Sequence, residues 1–283
     1  MVGTDGDSPS VYAFDQRTGA VRWQHPIVEE TKGPSDSRGA RTGMTRTGDV
    51  IQFATYSGRL FCLDLKTGAE KWRFASPQFE HASFGAFQQA VIGNRVFYGS
   101  PDALHAFDAA TGSELWKLKL DAPISDGIIV RNGRLFFGTA DQHVYRVNPD
   151  HGEIEASLVT GHQPGFFQPL IVGNALVVPS DSAHVIAAYD LDLKKEIWTL
   201  RAKEEWGSPR MTTWAGMVIA GNSEGQIVAI DPSDGSIRWT EELGGTVRGV
   251  SAADGVILAG NTRGDLVAIN GNKKAAALLQ HRR

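Results

Sequence analysis

Residues 11–23 read VYAFDQRTGAVRW, and nearly the same pattern returns as LFCLDLKTGAEKW at 60–72 and LHAFDAATGSELW at 104–116. Weaker copies follow along the chain as VYRVNPDHGEIEA, VIAAYDLDLKKEIW, IVAIDPSDGSIRW and LVAIN. An Asp or Asn anchor ends each apolar run, at intervals of 49, 44, 40, 42, 41 and 39 residues: Asp15, Asp64, Asp108, Asn148, Asp190, Asp231 and Asn270. A period of about 40–45 residues without helical patterning is typical of β-propeller blades of four strands.

Each copy predicts a β-hairpin, because two short runs of alternating apolar residues flank a polar turn. The anchor can accept hydrogen bonds from backbone N–H groups in the turn that follows it. A glycine four residues after the anchor can adopt a positive φ without steric cost, and it is present as Gly19, Gly68, Gly112 and Gly235. The anchor therefore predicts a tight turn into an outer strand.

A tryptophan stands eight residues after five of the anchors. We expect each ring to lie flat against the neighbouring blade, where a tryptophan buries about 150–250 Å². The five are Trp23, Trp72, Trp116, Trp198 and Trp239, whereas Ala156 and Leu278 occupy the position in the other two copies.

The pattern A-x-D-x-x-T-G-x-x-x-W resembles the tryptophan-docking repeat of the PQQ-like β-propellers. That family includes quinoprotein alcohol dehydrogenases and the lipoprotein scaffold of outer-membrane β-barrel assembly. The resemblance covers essentially the whole chain and implies an all-β, seven-bladed propeller of four-stranded antiparallel blades, folded as one domain over residues 1–283. The fourth copy departs most, with Asn148 and Ala156 in place of Asp and Trp, so we expect a looser interface there.

The two ends of the chain match different parts of a blade. Residues 2–6 parallel Tyr98–Asp102 and Phe137–Asp141, which lie partway into later copies, and Ala275–His281 resembles an outer strand. We therefore expect the first blade to be incomplete at its N-terminal side, without its inner strand. We favour a longer native polypeptide, which could carry a signal peptide, over a blade with an exposed edge.

Composition narrows the possible partners. The chain has 283 residues and a net charge of −4, with scattered Lys and Arg, which argues against nucleic acid as a partner. No apolar stretch approaches the roughly 20 residues of a membrane span. The single cysteine, Cys62, excludes an internal disulfide and fits either redox compartment.

Two long connections between copies are candidate recognition segments. Pro26–Arg41 and Ser76–Gly85 account for the two longest intervals. They are either tolerated surface insertions or a recognition lobe, in which Arg41, Phe79, Phe84, Phe87, Glu80 and His81 would contact a partner.

Aligned inner strands suggest a second candidate region at the mouth of the central channel. Asp126 and Arg248 fall at one level of the aligned strands and Arg210 at the next, so that alternation sends one of these two levels toward the channel and the other toward a neighbouring blade. His81 and His162 lie just before inner strands. These groups either bind a ligand or pair with each other across the channel. Trp206 falls outside the docking position and is either a partner anchor or a cap over the core.

The enzyme classes suggested by the resemblance find little support in the residues. The quinoprotein alcohol dehydrogenases have an eight-bladed ring, a disulfide of adjacent cysteines and a bound calcium, whereas this chain has seven anchors, one cysteine and no cluster of Asp, Glu and Asn. Its histidines show no metal-ligand spacing, and we expect His105 and His143 at the surface. Hydrolase or lyase chemistry stays open only through His81, His162 and Asp126.

The sequence thus favours a non-catalytic binding or scaffold propeller that uses loops on one face to contact protein partners. We expect a monomer with no cofactor and no metal, and the family resemblance suggests a location outside the cytoplasm. The alternative is an enzyme or small-ligand sensor that uses the channel mouth.

Overall fold

The computed structural model describes residues 2–3, 8–28, 39–76, 89–125, 127–164, 169–180, 183–202, 211–270 and 277–278. Every helix or strand assigned within these ranges is a β-strand, and the strands form seven antiparallel sheets whose members follow one another in chain order. Among the described residues there is accordingly no apolar helix of membrane-spanning length.

The first sheet contains three described strands, β1 (Val2–Gly3), β2 (Ser10–Phe14) and β3 (Val21–Pro26). The other six sheets have four strands each. The second to fourth sheets consist of β4 (Thr45–Thr47), β5 (Val50–Ala54), β6 (Arg59–Asp64) and β7 (Glu70–Ala75); β8 (Ala90–Ile92), β9 (Arg95–Ser100), β10 (Ala103–Asp108) and β11 (Glu114–Lys119); and β12 (Ile129–Arg131), β13 (Arg134–Gly138), β14 (His143–Val147) and β15 (Ile154–Val159).

The fifth to seventh sheets repeat the same plan. They consist of β16 (Leu170–Val172), β17 (Ala175–Ser180), β18 (Val185–Asp190) and β19 (Glu196–Arg201); β20 (Thr212–Trp214), β21 (Met217–Gly221), β22 (Gln226–Ile230) and β23 (Ile237–Glu242); and β24 (Val247–Ala253), β25 (Val256–Asn261), β26 (Leu266–Asn270) and β27 (Ala277–Leu278). The predicted fold class, a seven-bladed all-β propeller, is confirmed, whereas an incomplete first blade stays a prediction.

The chain divides into two compact units, residues 1–136 with 147–155 and residues 137–146 with 156–283. In the first unit the short strand β8 contacts both β4 and β12, and in the second unit β20 contacts both β16 and β24. In these blades the first strand therefore faces the first strand of its neighbours within the same unit, as inner strands do. That residues 1–283 act as a single domain stays a prediction.

The anchor turns form as the sequence predicts. Oδ1 of Asp64 accepts hydrogen bonds from the backbone N–H of Lys66 (3.0 Å) and of Thr67 (2.9 Å), and from the Thr67 hydroxyl (2.9 Å). The hydrogen bonds from Thr67 lower the pKa of Asp64. Asp15 and Asp108 hold the same turn, so this short motif folds the same way in different blades.

The tryptophans dock on the glycines of the following blade. A Cβ atom placed on Gly68 would lie 2.5 Å from Cε3 of Trp23, so only glycine fits beneath the ring. Nε1 of Trp23 also donates to the carbonyl of Leu65, at 3.1 Å. The same pair of contacts joins Trp72 to Gly112 and Ala109, Trp116 to Gly152 and Pro149, and Trp198 to Gly235 and Pro232.

The turn of the fifth blade departs from this rule. Ala156 supplies no ring, and the turn has Lys194 instead of a glycine four residues after Asp190. The positive φ falls on Leu193 (+54), which is buried. Nη1 of Arg146 donates to the Leu191 carbonyl and to the Asp192 carboxylate, both at 2.9 Å. An arginine therefore satisfies the carbonyl that an indole N–H satisfies elsewhere, and the contact differs in chemistry from the looser one we expected.

A matched pair of glycine substitutions isolates the docking contact. Gly68 and Gly19 occupy equivalent positions in the anchor turns of two blades, and both have φ +72. However, nothing lies within 4 Å of a Cβ placed on Gly19. Both alanine variants therefore suffer the strain of the positive φ, and only Gly68→Ala also collides with Trp23. We expect Gly68→Ala to lose about 1–3 kcal/mol more stability than Gly19→Ala, measured by urea unfolding. Equal losses would show that the ring does not require the glycine.

Truncating a docked ring should loosen two blades at once. We expect Trp72→Ala to lower the free energy of unfolding by about 3 kcal/mol, because it removes a large packed ring and the hydrogen bond to Ala109 O. Trp72→Phe should lose less, since it retains a ring but not the N–H donor. An unchanged melting temperature in Trp72→Ala would contradict the docking account.

Candidate functional site

The two ends of each blade carry different features. At one end, here called the docking edge, lie the anchor turns. At the other, the connection edge, the second strand turns into the third and the fourth strand leaves for the next blade. Backbone hydrogen bonds join these two segments within a blade, for example Leu120 N–H to Asp102 O at 2.8 Å and Ala202 N–H to His184 O at 3.0 Å. The connection edge therefore holds the candidate binding loops on a fixed frame.

Arg41 ends the longest connection and lies on the connection edge of the second blade. Its N–H donates to Ala54 O at 2.9 Å, and the adjacent Ala40 forms a β-bridge with Thr55. The guanidinium lies over the ring of Tyr56, with Cζ 5.4 Å from the ring centroid. A cation held against an aromatic face in this way is kept in one place while its N–H groups stay able to bind.

Gln89 ties the ends of the two long connections together. Thr42 follows Arg41, and its hydroxyl donates to Gln89 Oε1 at 2.9 Å. Gln89 Nε2 donates to Gly43 O at 2.7 Å and to Gln52 O at 2.8 Å. Gln89 is only 5% exposed and Gln52 is fully buried, so the hydrogen bond between these two residues is shielded from water. Together the three hydrogen bonds join the second and third blades.

Sequence alignment of the inner strands did not single out Gln89. The position three residues before the end of each inner strand is apolar in the other five four-stranded blades: Met44, Ile128, Pro169, Met211 and Val250. A single polar residue in an otherwise apolar column was the signal that could have found it.

Removing the Gln89 side chain tests this clasp. We expect Gln89→Ala to destabilise the chain by about 2 kcal/mol, because the buried carbonyl of Gln52 loses its donor. Thr240→Ala, at an exposed position on β23, should change stability by no more than about 0.5 kcal/mol. Chemical denaturation of both variants makes the comparison, and similar values for the two would show that the clasp contributes nothing.

His162 lies on the connection edge in the second unit. Its Nε2 is 3.3 Å from the hydroxyl of Tyr189, and its carbonyl accepts a hydrogen bond from the Thr160 hydroxyl. Burial lowers the pKa of His162, although the charge of Glu196 works in the opposite direction. The imidazole is therefore uncharged at neutral pH and is held by a tyrosine that is itself buried.

Arg248 is the remaining candidate for which the structure gives a position. It lies on β24, exposed, at the register shift between Val247 and Gly249. Arg41 belongs to the first unit and Arg248 to the second. The other candidates lie outside the described residues: Phe79, His81, Asp126, Trp206 and Arg210.

The prediction that His105 lies at the surface is wrong, because the residue is 3% exposed. Its Nδ1 is 2.6 Å from Glu114 Oε1 and its Nε2 is 2.9 Å from Ser100 Oγ. This order of serine, imidazole and carboxylate resembles a nucleophile with its base. However, Ser100 has no exposed surface, so a substrate cannot reach its hydroxyl in this conformation. His143, by contrast, has a side chain that is 31% exposed.

The described part of the chain shows neither a metal-binding site nor a reactive cysteine. No group of three or more His, Cys, Asp or Glu residues there is arranged to hold a metal ion. Cys62 is fully buried, and burial raises the pKa of its thiol to about 12. A thiol in that state is a poor nucleophile.

Comparison with known proteins identifies relatives that include assembly factors and dehydrogenases. A family model described as outer membrane protein assembly factor BamB matches residues 7–92, 78–187 and 154–275. BamB of Burkholderia pseudomallei is 26% identical over 160 residues, which are 54% of this chain and 41% of that protein. Polyvinylalcohol dehydrogenase of a Sphingopyxis species is 23% identical over an alignment of 320 positions, gaps included. The alignment covers 89% of this chain and 45% of that protein.

A solved structure supports the fold. The crystal structure of BamB from Moraxella catarrhalis matches with a TM-score of 0.75, covering 95% of this chain and 80% of that one at 16% identity. The chain spans less than half the length of the two curated relatives named above.

Proposed function

Because the chain belongs to the family of the outer membrane protein assembly factor BamB, we propose that it is a non-catalytic scaffold that binds other proteins. In this proposal the contacts are made by the connections at one edge of the first three blades. The chain acts outside the cytoplasm, as a monomer, and needs no cofactor. Relatives named as assembly factors favour a role among other proteins.

The hydrogen bonds of Gln89 are the observation that carries this proposal. The two longest connections, Pro26–Arg41 and Ser76–Gly85, differ in length and in sequence. The residues just after them are nevertheless joined, since Gln89 contacts both Thr42 and Gly43. Two loops that end at one buried clasp can contact the same partner.

Arg41 supports the proposal from the side of the partner. Its backbone and its guanidinium are both held in place, by Ala54 O and by the Tyr56 ring. A side chain that is already ordered loses little conformational entropy on association, so more of its interaction energy appears as affinity. Arginine and tyrosine are also the residue types that dominate binding energy at protein interfaces.

Site-specific photo-crosslinking tests the proposed face. A photoreactive amino acid at Arg41 or Phe79, on the connections, should capture the same discrete partner in the native host. The same amino acid at Lys66, exposed in an anchor turn on the docking edge, should not. Arg41→Glu should weaken binding of the captured partner at least tenfold without changing the melting temperature. Equal capture from all three positions would contradict the proposal.

A small-ligand or enzyme function is the second candidate, favoured by the similarity to polyvinylalcohol dehydrogenase. It would use the sequence-predicted candidates of the second unit, His162, Arg210 and Arg248. Native mass spectrometry of the purified chain separates the two proposals. A stoichiometric added mass that Arg248→Ala removes would support the ligand function, whereas a bare monomer would favour the scaffold.

A further inference from the structure

A series of hydrogen-bonded polar groups, with Ser100 and His105 buried at its centre, crosses the third blade and contains no residue named above for the proposed binding face. His105 lies on β10 with its ring between aromatic neighbours, 4.8 Å from Phe74 of the second blade and 5.8 Å from Phe107, measured between ring centroids. Polar groups in such a setting are retained only when they are hydrogen-bonded, because an unpaired one costs the full desolvation penalty.

Three hydrogen-bond contacts link two carboxylates through the imidazole. Glu114 Oε1 lies 2.6 Å from Nδ1 of His105, and Nε2 lies 2.9 Å from Ser100 Oγ. Ser100 Oγ in turn lies 2.8 Å from Asp102 Oδ1. This series of hydrogen bonds therefore runs from the outer strand β11, through β10, to the loop between β9 and β10.

The three hydrogen bonds require one proton each. Both ends are carboxylates, which at neutral pH only accept hydrogen bonds, so three contacts need three protons between them. Ser100 supplies one, and a neutral imidazole supplies one more. If Nδ1–H donates to Glu114, then Ser100 can serve either His105 or Asp102 but not both. The other tautomer leaves a bare Nδ1 facing Glu114. Only an imidazolium completes all three bonds.

The remaining groups around His105 do not supply the missing proton. Lys117 lies opposite His105 on β11, but its ammonium is bonded to Asp102 Oδ2 at 3.2 Å. Burial of Asp102 disfavours its charge, but the hydrogen bonds from Ser100 and Lys117 outweigh this and lower the pKa of Asp102. Tyr98, opposite His105 on β9, donates its own hydroxyl to Gly58 O at 3.0 Å. Phe74, from β7 of the neighbouring blade, brings an uncharged ring.

We propose that His105 is a proton-controlled link that joins the β9–β10 loop to the outer strand β11 only when the imidazole is charged. In the neutral state one bond of the chain is unmade, and the contact between Ser100 and Asp102 is the one released, because Asp102 keeps Lys117 as a partner. Proton uptake restores that contact and fixes the loop.

The link reaches the connection edge by two routes. Asp102 O accepts the backbone hydrogen bond of Leu120, where the connection to the fourth blade begins. Tyr98, the cross-strand neighbour of His105, holds the loop that carries Tyr56 through its bond to Gly58. A charge at His105 therefore acts on segments at the same edge as Arg41.

The effect on global stability has the opposite sign from the effect on the loop. Burial lowers the pKa of His105, and the hydrogen bond to Glu114 offsets only part of this. An unfolded histidine titrates near about 6.5, so between that value and the folded pKa the unfolded chain binds more protons. Stability is therefore full above about pH 6.5 and falls as the pH drops through it toward the folded pKa. Acid completes the hydrogen-bond chain yet weakens the fold, because a charge is then buried.

Nuclear magnetic resonance of the isotope-labelled full chain tests the link. Between pH 8 and 4.5 the His105 imidazole should take up a proton, and the backbone amides of Asp102 and Ala103 should shift with the same midpoint. In His105→Gln the two amides should lose that transition.

An isosteric variant supplies the missing proton without acid. In Asp102→Asn the side-chain amide can donate to Ser100 Oγ, so that a neutral imidazole completes the chain. The His105 midpoint should then move to lower pH, and the backbone amides at positions 102 and 103 should lose their transition. The proposal is overturned if His105 stays neutral throughout the range, if the wild-type loop amides do not follow it, or if they follow it equally in Asp102→Asn.

Discussion

The docking of a tryptophan ring on a glycine is the contact on which the rest of the structure depends. It joins residues about 40 positions apart through two simultaneous requirements, an indole N–H that reaches a carbonyl and a backbone without a Cβ beneath the ring. Neither half works alone. The ring needs the glycine for its close approach, and the glycine reaches its positive φ because the anchor Asp holds the turn. The repeat in the sequence reflects the residues that this contact requires.

The turn of the fifth blade, which has no docked tryptophan, is subject to the same constraint. Where Ala156 takes the place of the tryptophan, the following turn has Lys194 rather than a glycine four residues after its anchor, and Leu193 is buried with a positive φ. The carbonyl still needs a donor, because an unpaired polar group in a packed interface is costly. Arg146 provides it. Ring, glycine and donor thus change together, as expected if they form one physical unit.

Polar residues inside this apolar frame distinguish one blade from another. Gln89 and His105 stand in the third blade, where the hydrogen bonds they make cross between strands that apolar side chains would simply pack together. Apolar packing is tolerant of exchange, whereas each buried hydrogen bond demands a particular partner. These residues therefore give an individual blade properties that the repeat does not have. A scaffold whose blades were all alike would present no distinguishable face to a partner.

The sequence by itself determined the architecture: an all-β propeller of seven blades, the anchor turns, and the tryptophans that join successive blades. These features were predictable because each depends on local patterning that recurs at a fixed period, and repetition exposes a partner that a single copy would hide. The candidate site was only partly predictable, since alignment placed Arg248 on an inner strand but did not identify Gln89 and placed His105 at the surface. Only the tertiary structure decided that Gln89 reaches Gln52 across 37 positions and that His105 is buried between two carboxylates. These contacts occur once each, and a side chain's partner across an interface is set by packing in three dimensions rather than by its neighbours in the chain.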